Sequence, residues 1–180
     1  LSATVNPDFG QVEVDPAVVN LSAFETFFPE RRPFFIEGQG MFSFGGFNCY
    51  FCSNVSSISL LSTRRIGRQP QGGDIARAAG AWADVPENST ILGAAKITGR
   101  TARGYTVGIL DAVTRREHAR IQDTLGARRD VEVEPLSNYF VARMKRDLRG
   151  GNLQVGGIAT SVVRDLRDSS LAVLLSRHAE

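Results

Sequence analysis

The chain has 180 residues and a mass of 19.6 kDa, which is long enough for one domain with a substantial core. Its 21 Lys and Arg residues nearly balance 19 Asp and Glu residues, and the net charge of +2 excludes a strongly basic nucleic-acid binder and an acidic disordered tail. No run of about 18 apolar residues occurs, which excludes a transmembrane helix but not the alternating strands of a membrane β-barrel.

The average composition conceals two different halves. Ten of the 11 Phe residues lie between Phe9 and Phe51. Residues 1–53 contain two Arg and six acidic residues, a net charge of −4, whereas residues 54–180 contain 19 basic and 13 acidic residues, a net charge of +6. We therefore predict a Phe-rich acidic segment over 1–53 and a β-rich unit over 54–180. Because the sequence starts at Leu1 and ends within a pattern, we expect a piece of a longer protein or a mature product.

Prolines divide the first segment into short elements. The alternation at Gln11–Val14 predicts a short strand, and Asp15 as N-cap with Pro16 behind it predicts a helix over Pro16–Phe28. Pro29 and Pro33 then favour an ordered irregular loop. We interpret four Phe side chains of this region as anchors that pack the segment on a scaffold: Phe27, Phe28, Phe34 and Phe35.

Charged residues are interleaved with these aromatic residues. We predict that they form a polar cluster in which Arg side chains hold carboxylates bidentately: Glu25, Glu30, Arg31, Arg32 and Glu37. Paired carboxylates could also perform glycosidase chemistry, so an exported carbohydrate-active hydrolase is the alternative function. Structural, ion-paired acids are the commoner arrangement, and we assign no catalytic residue.

Cys49 and Cys52 are the only cysteines. A structural zinc site needs further ligands, and His118 and His178 are too distant in sequence, so we predict neither a metal nor any other cofactor. No helix signal follows Cys52, which disfavours a redox motif of the thioredoxin type. A small loop disulfide, favoured if the protein is exported, and two reduced thiols remain as alternatives.

After Cys52 the hydrophobic pattern has a period of two. It predicts a strand over Val55–Arg65, a long loop over Gly67–Glu87 with one helical turn at Ile75–Ala81, and four longer strands. The four strands are Thr90–Arg100, Tyr105–Thr114, Ser137–Asp147 and Leu153–Val163. We predict that a two-residue turn at Arg103-Gly104 joins the first strand to the second, and that another at Gly150-Gly151 joins the third strand to the fourth.

These turns fix the predicted register of each hairpin. In the second hairpin Phe140 faces Ser161 while Arg143 and Lys145 lie on the opposite face, and in the first hairpin Lys96 sits directly across from Asp111. We predict a long charged loop over Arg115–Leu136 between the hairpins. A soluble β-rich meander or sandwich is an alternative fold. Interleaved acids and the lack of a stacking platform exclude nucleic acid as a partner.

Several sequence blocks resemble a bacterial family of unknown function. They are NPDFGQVE at Asn6–Glu13, FFPERRPFFIEG at Phe27–Gly38, STRRIGR at Ser62–Arg68, ILGAAKITGR at Ile91–Arg100 and DLRGG at Asp147–Gly151. The resemblance implies an exported outer-membrane β-barrel domain of a Gram-negative type bacterium, which usually follows a family-9-type carbohydrate-binding module.

We therefore expect antiparallel hairpins of an incomplete outer-membrane barrel, with residues 1–53 acting as a plug in the lumen or packing under the barrel. Its partners would be outer-membrane lipid and a carbohydrate ligand for binding, uptake or surface handling. The expected lumen-facing polar residues are Lys96, Asp111, Arg143 and Lys145. Since barrels start at about eight strands, we expect further strands beyond Glu180 or from several chains.

Overall fold

The computed structural model describes residues 2–5, 29–42, 61–148, 150 and 153–176. The strands are β1 (Ser2–Val5), β2 (Trp82–Asp84), β3 (Ile91–Arg100), β4 (Tyr105–Thr114), β5 (Glu117–Gln122), β6 (Arg128–Glu134), β7 (Leu136–Leu148) and β8 (Leu153–Asp165). The helices are α1 (Pro33–Ile36), α2 (Gly73–Ala78) and α3 (Ser169–Ser176), and two 3-10 turns occupy Gln39–Met41 and Thr63–Arg65. None of the helices within the described ranges is long and apolar enough to cross a membrane.

The fold is mainly β, and its larger sheet contains the four long strands predicted from the sequence. The strand order is β1-β3-β4-β7-β8, and every neighbouring pair is antiparallel. Strand β4 has the predicted bounds, and the bounds of the other three differ by one or two residues. Alternation of polar and apolar side chains identified these strands because successive residues of a strand point to opposite faces.

The turn between β3 and β4 is one residue longer than predicted. The Thr101 N–H donates to the Tyr105 carbonyl, the Gly104 N–H donates to the Thr101 carbonyl, and Gly104 has φ +80°. This three-residue loop shifts the register by one, so Lys96 pairs with Leu110 and Asp111 pairs with Ala95. The predicted pairing of Lys96 with Asp111 is therefore wrong. The β7–β8 register is as predicted, with Phe140 opposite Ser161 and Arg143 opposite Ile158.

The predicted charged loop over Arg115–Leu136 is instead a hairpin, which corrects that expectation. Strands β5 and β6 pair with each other, and β2 pairs with β5 to complete a three-stranded sheet. Small and β-branched side chains alternate with the charged ones and form a second core with α2: Ala76, Ala119, Ile121 and Val133. Because so many of the exposed positions carry charged residues, the sequence pattern predicts a loop.

The remaining predictions have mixed outcomes. The helical turn expected at Ile75–Ala81 is α2, which begins two residues earlier. The end of the strand predicted over Val55–Arg65 is wrong, because Thr63–Arg65 forms a 3-10 turn. The predicted strand Gln11–Val14, the predicted helix Pro16–Phe28, and residues 51–60 lie outside the described residues.

The main core lies between one face of the larger sheet and two chain segments that cross it. Phe35 and Phe42 come from the first segment and Ile66 from the second. They pack on buried side chains of the sheet: Ile91, Ala94, Leu110, Ala112, Tyr139 and Val141. We call this covered side of the sheet the inner face, the opposite side the outer face, and residues 29–42 the strap.

Candidate functional site

Cationic side chains of the inner face lie under the strap and beside it. The cross-strand register places Lys96 in a row with Leu110 and Val141, and places Arg143 in the next row with Thr98 and Gly108. The strap lies so close to this second row that a Cβ on Gly108 would be 3.1 Å from Phe42 Cε1. The absence of a side chain at this position therefore makes room for the Phe42 ring.

Lys96 is the most deeply buried cation of the inner face. Its side chain is 2% exposed, and its Nζ donates hydrogen bonds to the carbonyl oxygens of Phe34 and Glu37. The same Nζ lies 4.9 Å from the centroid of the Phe34 ring and 3.7 Å from Glu37 Oε2. A buried ammonium group needs such partners to compensate for its lost hydration. Lys96 consequently links β3 to the strap.

Arg143 makes a second link between sheet and strap. Its Nη1 donates to the Met41 carbonyl at 2.7 Å. Lys145 and Arg100 lie one row further toward the β3–β4 turn, where both approach one carboxylate. Arg100 Nη2 is 2.6 Å from Asp147 Oδ2, and Lys145 Nζ is 3.8 Å from Asp147 Oδ1. The inner face thus combines cations with few carboxylates.

The strap is also tied to the segment that contains the 3-10 turn Thr63–Arg65. Arg32 forms the predicted type of bidentate pair with Glu30, with Nε–Oε1 at 2.8 Å and Nη2–Oε2 at 2.7 Å. Arg32 Nη1 and Nη2 also donate to the carbonyls of Ile66 and Thr63, each at 2.6 Å. The Thr63 hydroxyl donates to Glu30 Oε2 at 2.6 Å. One buried ion pair therefore joins two chain segments more than 30 residues apart.

The environment of Glu30 favours a structural role over acid catalysis. Its side chain is 2% exposed and both carboxylate oxygens accept hydrogen bonds. Burial raises the pKa of Glu30, but hydrogen bonds from Arg32 and Thr63 outweigh it and hold the pKa below its ordinary value. A glycosidase acid needs a raised pKa, and Glu30 has the opposite shift.

The other residues of the predicted polar cluster are placed differently. The Glu37 side chain is 71% exposed, and its Oε2 lies 3.7 Å from Lys96 Nζ. The Arg31 N–H donates to Glu30 Oε1 at 3.1 Å. Glu25, Cys49 and Cys52 lie outside the described residues. Among the residues that are described, no group of three or more His, Cys, Asp or Glu side chains could hold a metal ion.

The outer face carries large apolar side chains that nothing in the described chain covers. Met144 is 57% exposed and Val163 is 62% exposed. The same face presents further partly exposed apolar side chains from three strands: Ile97, Phe140 and Val155. Asp111 also lies here, where its Oδ1 accepts a hydrogen bond from Asn138 Nδ2 at 2.9 Å. Asp111 is therefore on the face opposite to Lys96, which corrects its predicted position.

Sequence reasoning missed a polar junction between the two sheets. Arg116 Nη1 contacts both Glu132 carboxylate oxygens at 2.6 Å, and its Nη2 donates to Asp165 Oδ2 at 2.7 Å. These bonds raise the pKa of Arg116, with the Glu132 hydrogen bond contributing most. The clustered charges at 115–117 were a signal for this junction, but their partners are 16 and 49 residues away in sequence.

Comparison with known proteins identifies a family without assigning an activity. The family described as Domain of unknown function (DUF5916) matches residues 1–178, nearly the whole chain. No curated protein and no solved structure matches the chain. The faces of the sheet and the strap are therefore the features from which a function can be inferred.

Proposed function

This chain belongs to the DUF5916 family, and we propose that it forms part of an outer-membrane β-barrel that binds, takes up or handles carbohydrate-type ligands at the cell surface. The observation that carries the proposal is the contrast between the two faces of the larger sheet. The outer face exposes Met144, Phe140 and Val163, whereas the inner face carries the buried Lys96 and the half-buried Arg143 beneath the strap. Lipid-facing and lumen-facing positions of membrane barrels alternate in this way.

Strand length gives independent support. The four long strands contain 10, 10, 13 and 13 residues. A tilted strand needs about 9–11 residues to cross the hydrocarbon core of a membrane. Strands in globular proteins are usually about 5–6 residues long. Four neighbouring strands of 10 to 13 residues in one sheet therefore favour the membrane interpretation.

The position of the strap supports a plug-like role for the first segment. Its side chains Phe35 and Phe42 are buried against the inner face, and Lys96 and Arg143 bind its carbonyl groups. In the proposed barrel the inner face is the lumen, so the strap would fill part of that lumen. A ligand would then meet the strap and the charged wall together.

The proposal requires additional strands beside those described. In the described residues the larger sheet is open, with β1 and β8 at its edges, and a bacterial single-chain barrel needs at least about eight strands. The β8 edge is suited to continuation because its 13 residues leave one side of the ladder without a described neighbour. The additional strands would come from this protein or from further copies.

A pair of adjacent substitutions tests membrane assembly. Ala142 lies at the centre of β7 on the outer face, and Arg143 follows it on the inner face. We expect Ala142→Arg to block assembly, because an Arg at the bilayer midplane costs about 2–4 kcal/mol in a barrel. Arg143→Ala should still assemble, and Ala142→Leu is the matched control for a larger but apolar side chain.

The measurement is the amount of protein in purified outer membranes of a Gram-negative host, together with its heat-dependent shift in gel mobility. Failure of Ala142→Arg alone supports the proposal. Equal assembly of Ala142→Arg and the wild type would contradict it. Recovery of folded wild-type protein in the detergent-free soluble fraction would favour a soluble β-rich binding module.

A further inference from the structure

The ionisable side chains of the four long strands are divided unequally between the two faces. Within β3, β4, β7 and β8, all of whose residues are described, five cations and one carboxylate occupy inner-face positions. These are Lys96, Arg100, Arg143, Lys145, Arg164 and Asp147. The outer face carries Arg146 with Asp111 and Asp165. The positive charge is therefore concentrated on the inner face.

The strap neutralises only part of this charge, through Glu37 Oε2 at 3.7 Å from Lys96 Nζ. It offers carbonyl groups to Lys96 and Arg143, and its Glu30 carboxylate is occupied by Arg32. The Glu37 side chain is 71% exposed, so solvent screens its charge more than it screens the charge of the buried Lys96. Carbonyl groups satisfy donors without cancelling charge, so a positive potential persists at this face.

Three of the cations lie close together, with Arg143 in the row of Gly108 and the other two in the next row. Arg100 and Lys145 occupy the same cross-strand row through Thr106, and Arg143 is two residues from Lys145 on the same side of β7. Adjacent strands are about 4.8 Å apart, and alternate residues of one strand are about 6.8 Å apart. The three side chains therefore border a patch that is about ten ångströms across. Arg100 and Lys145 share the carboxylate of Asp147, whereas Arg143 Nη1 donates to the Met41 carbonyl.

We propose that the ligand handled at this face is an anionic saccharide polymer, one that bears carboxylate or sulfate groups, and that Arg100, Arg143 and Lys145 bind those groups. Guanidinium and ammonium groups recognise carboxylate and sulfate through charge-assisted hydrogen bonds, whereas a neutral saccharide gains little from them. This inference rests on the proposed function, because it assigns the ligand of the same barrel lumen.

The test compares two six-residue saccharides binding to the full-length protein in detergent micelles. Isothermal titration at low salt should show hexagalacturonate, which carries carboxylates, binding at least about tenfold more tightly than neutral maltohexaose. Arg100→Gln and Lys145→Gln should each weaken hexagalacturonate binding by about three- to tenfold. Raising the NaCl concentration to about 0.5 M should also weaken binding, because salt screens the attraction between the cations and the carboxylates.

Of two further variants, one should tighten hexagalacturonate binding and the other should leave it unchanged. Asp147→Asn removes the carboxylate that competes for Arg100 and Lys145, so it should tighten hexagalacturonate binding. Arg146→Gln removes a cation from the same strand on the outer face and should leave binding unchanged. Proteolytic resistance of the strap, measured for every variant, identifies a variant that has lost its fold.

The outcomes separate this inference from the proposed function. Equal affinity for the two saccharides would overturn the inference, as would unchanged hexagalacturonate binding in folded Arg100→Gln and Lys145→Gln. Neither result affects membrane assembly, which the Ala142→Arg experiment decides. Equal assembly of Ala142→Arg and the wild type would overturn the barrel even if an anionic saccharide bound.

Discussion

Arg32 uses its planar guanidinium group to join the strap to the segment that contains Thr63 and Ile66. Nε and Nη2 bind the Glu30 carboxylate, and Nη1 and Nη2 bind carbonyl groups of Ile66 and Thr63. The guanidinium carbon also lies 4.2 Å from the centroid of the Phe35 ring. A lysine has no fork of donors and could not make this set of contacts. The sequence predicted an Arg–carboxylate pair, but the Thr63 and Ile66 partners depend on a long-range contact.

Glu30→Gln should release the strap from this junction. The substitution leaves the Arg32 guanidinium, whose side chain is 8% exposed, without its compensating charge. Breaking a buried ion pair in this way costs about 3 kcal/mol. Hydrogen exchange of the Phe35 and Ile36 amides, which donate to the Arg32 carbonyl, measures the local free energy of opening.

Asp74→Asn provides the control for Glu30→Gln. It breaks the Arg77–Asp74 pair at 2.7 Å, which is exposed to solvent, and exposed pairs contribute about 0–1 kcal/mol. A loss of protection in Asp74→Asn as large as that in Glu30→Gln would contradict the special role of the buried pair.

The same carboxylate should make strap docking dependent on pH. The pKa of Glu30 in the folded protein lies below its ordinary value of 4.5, so its stabilising contribution is fully present above pH 4.5. The contribution is lost as pH falls through the lower folded-state pKa. Strap protection should therefore decrease on acidification in the wild type, and Glu30→Gln should lack this component of the decrease. Identical acid profiles for the two proteins would contradict the assignment.

At the scale of the element, the hairpins show which structural features the sequence determines locally. The alternation of side chains located β3, β4, β7 and β8 almost to the residue because a half-buried strand repeats every two residues. The register of β3–β4 could not be read in this way, since it depends on the conformation of one turn. Gly104 suits both a two-residue and a three-residue loop, and the difference moves Asp111 to the other face.

Cysteine pairs distinguish the two registers directly. In a Cys49→Ser, Cys52→Ser background, Ala95→Cys with Asp111→Cys places two thiols at directly paired positions of one face. Directly opposite residues have Cα atoms about 4.5–5.5 Å apart, within the range of a disulfide. We expect rapid oxidation of this pair, measured as a shift on non-reducing gels.

The matched control pair is Ala95→Cys with Ala112→Cys, which the two-residue turn would have placed opposite each other. In the observed register these side chains point to opposite faces and should not cross-link. Cross-linking of the control pair in preference to the first pair would contradict the observed register.

At the scale of the whole molecule, the strap's position was beyond prediction from the sequence. Abundant Phe residues indicated packing, but they did not identify which side of the sheet would receive the strap. That choice follows from long-range contacts, such as those of Lys96 with Phe34 and of Arg143 with Met41, which span 62 and 102 residues. The charged β5–β6 hairpin was missed for a related reason, because its core is completed by α2 and β2 from earlier in the chain.

The arrangement of turns gives the proposed barrel a direction. The β3–β4 and β7–β8 turns lie at one end of the sheet, and the β5–β6 hairpin connects the strands at the other end. Outer-membrane barrels have short periplasmic turns and longer extracellular loops. We therefore expect Arg103, in the β3–β4 turn, to face the periplasm and Leu125, at the tip of the β5–β6 hairpin, to face the exterior.

Labelling of single cysteines tests this direction in cells. In the background without Cys49 and Cys52, Leu125→Cys should react with a membrane-impermeant maleimide in intact cells, since position 125 is 93% exposed. Arg103→Cys, at a turn residue that is also exposed, should react only after the outer membrane is permeabilised. The reverse pattern would contradict the expected direction. Labelling of both sites in intact cells would place both ends of the sheet outside and would contradict a membrane-spanning sheet.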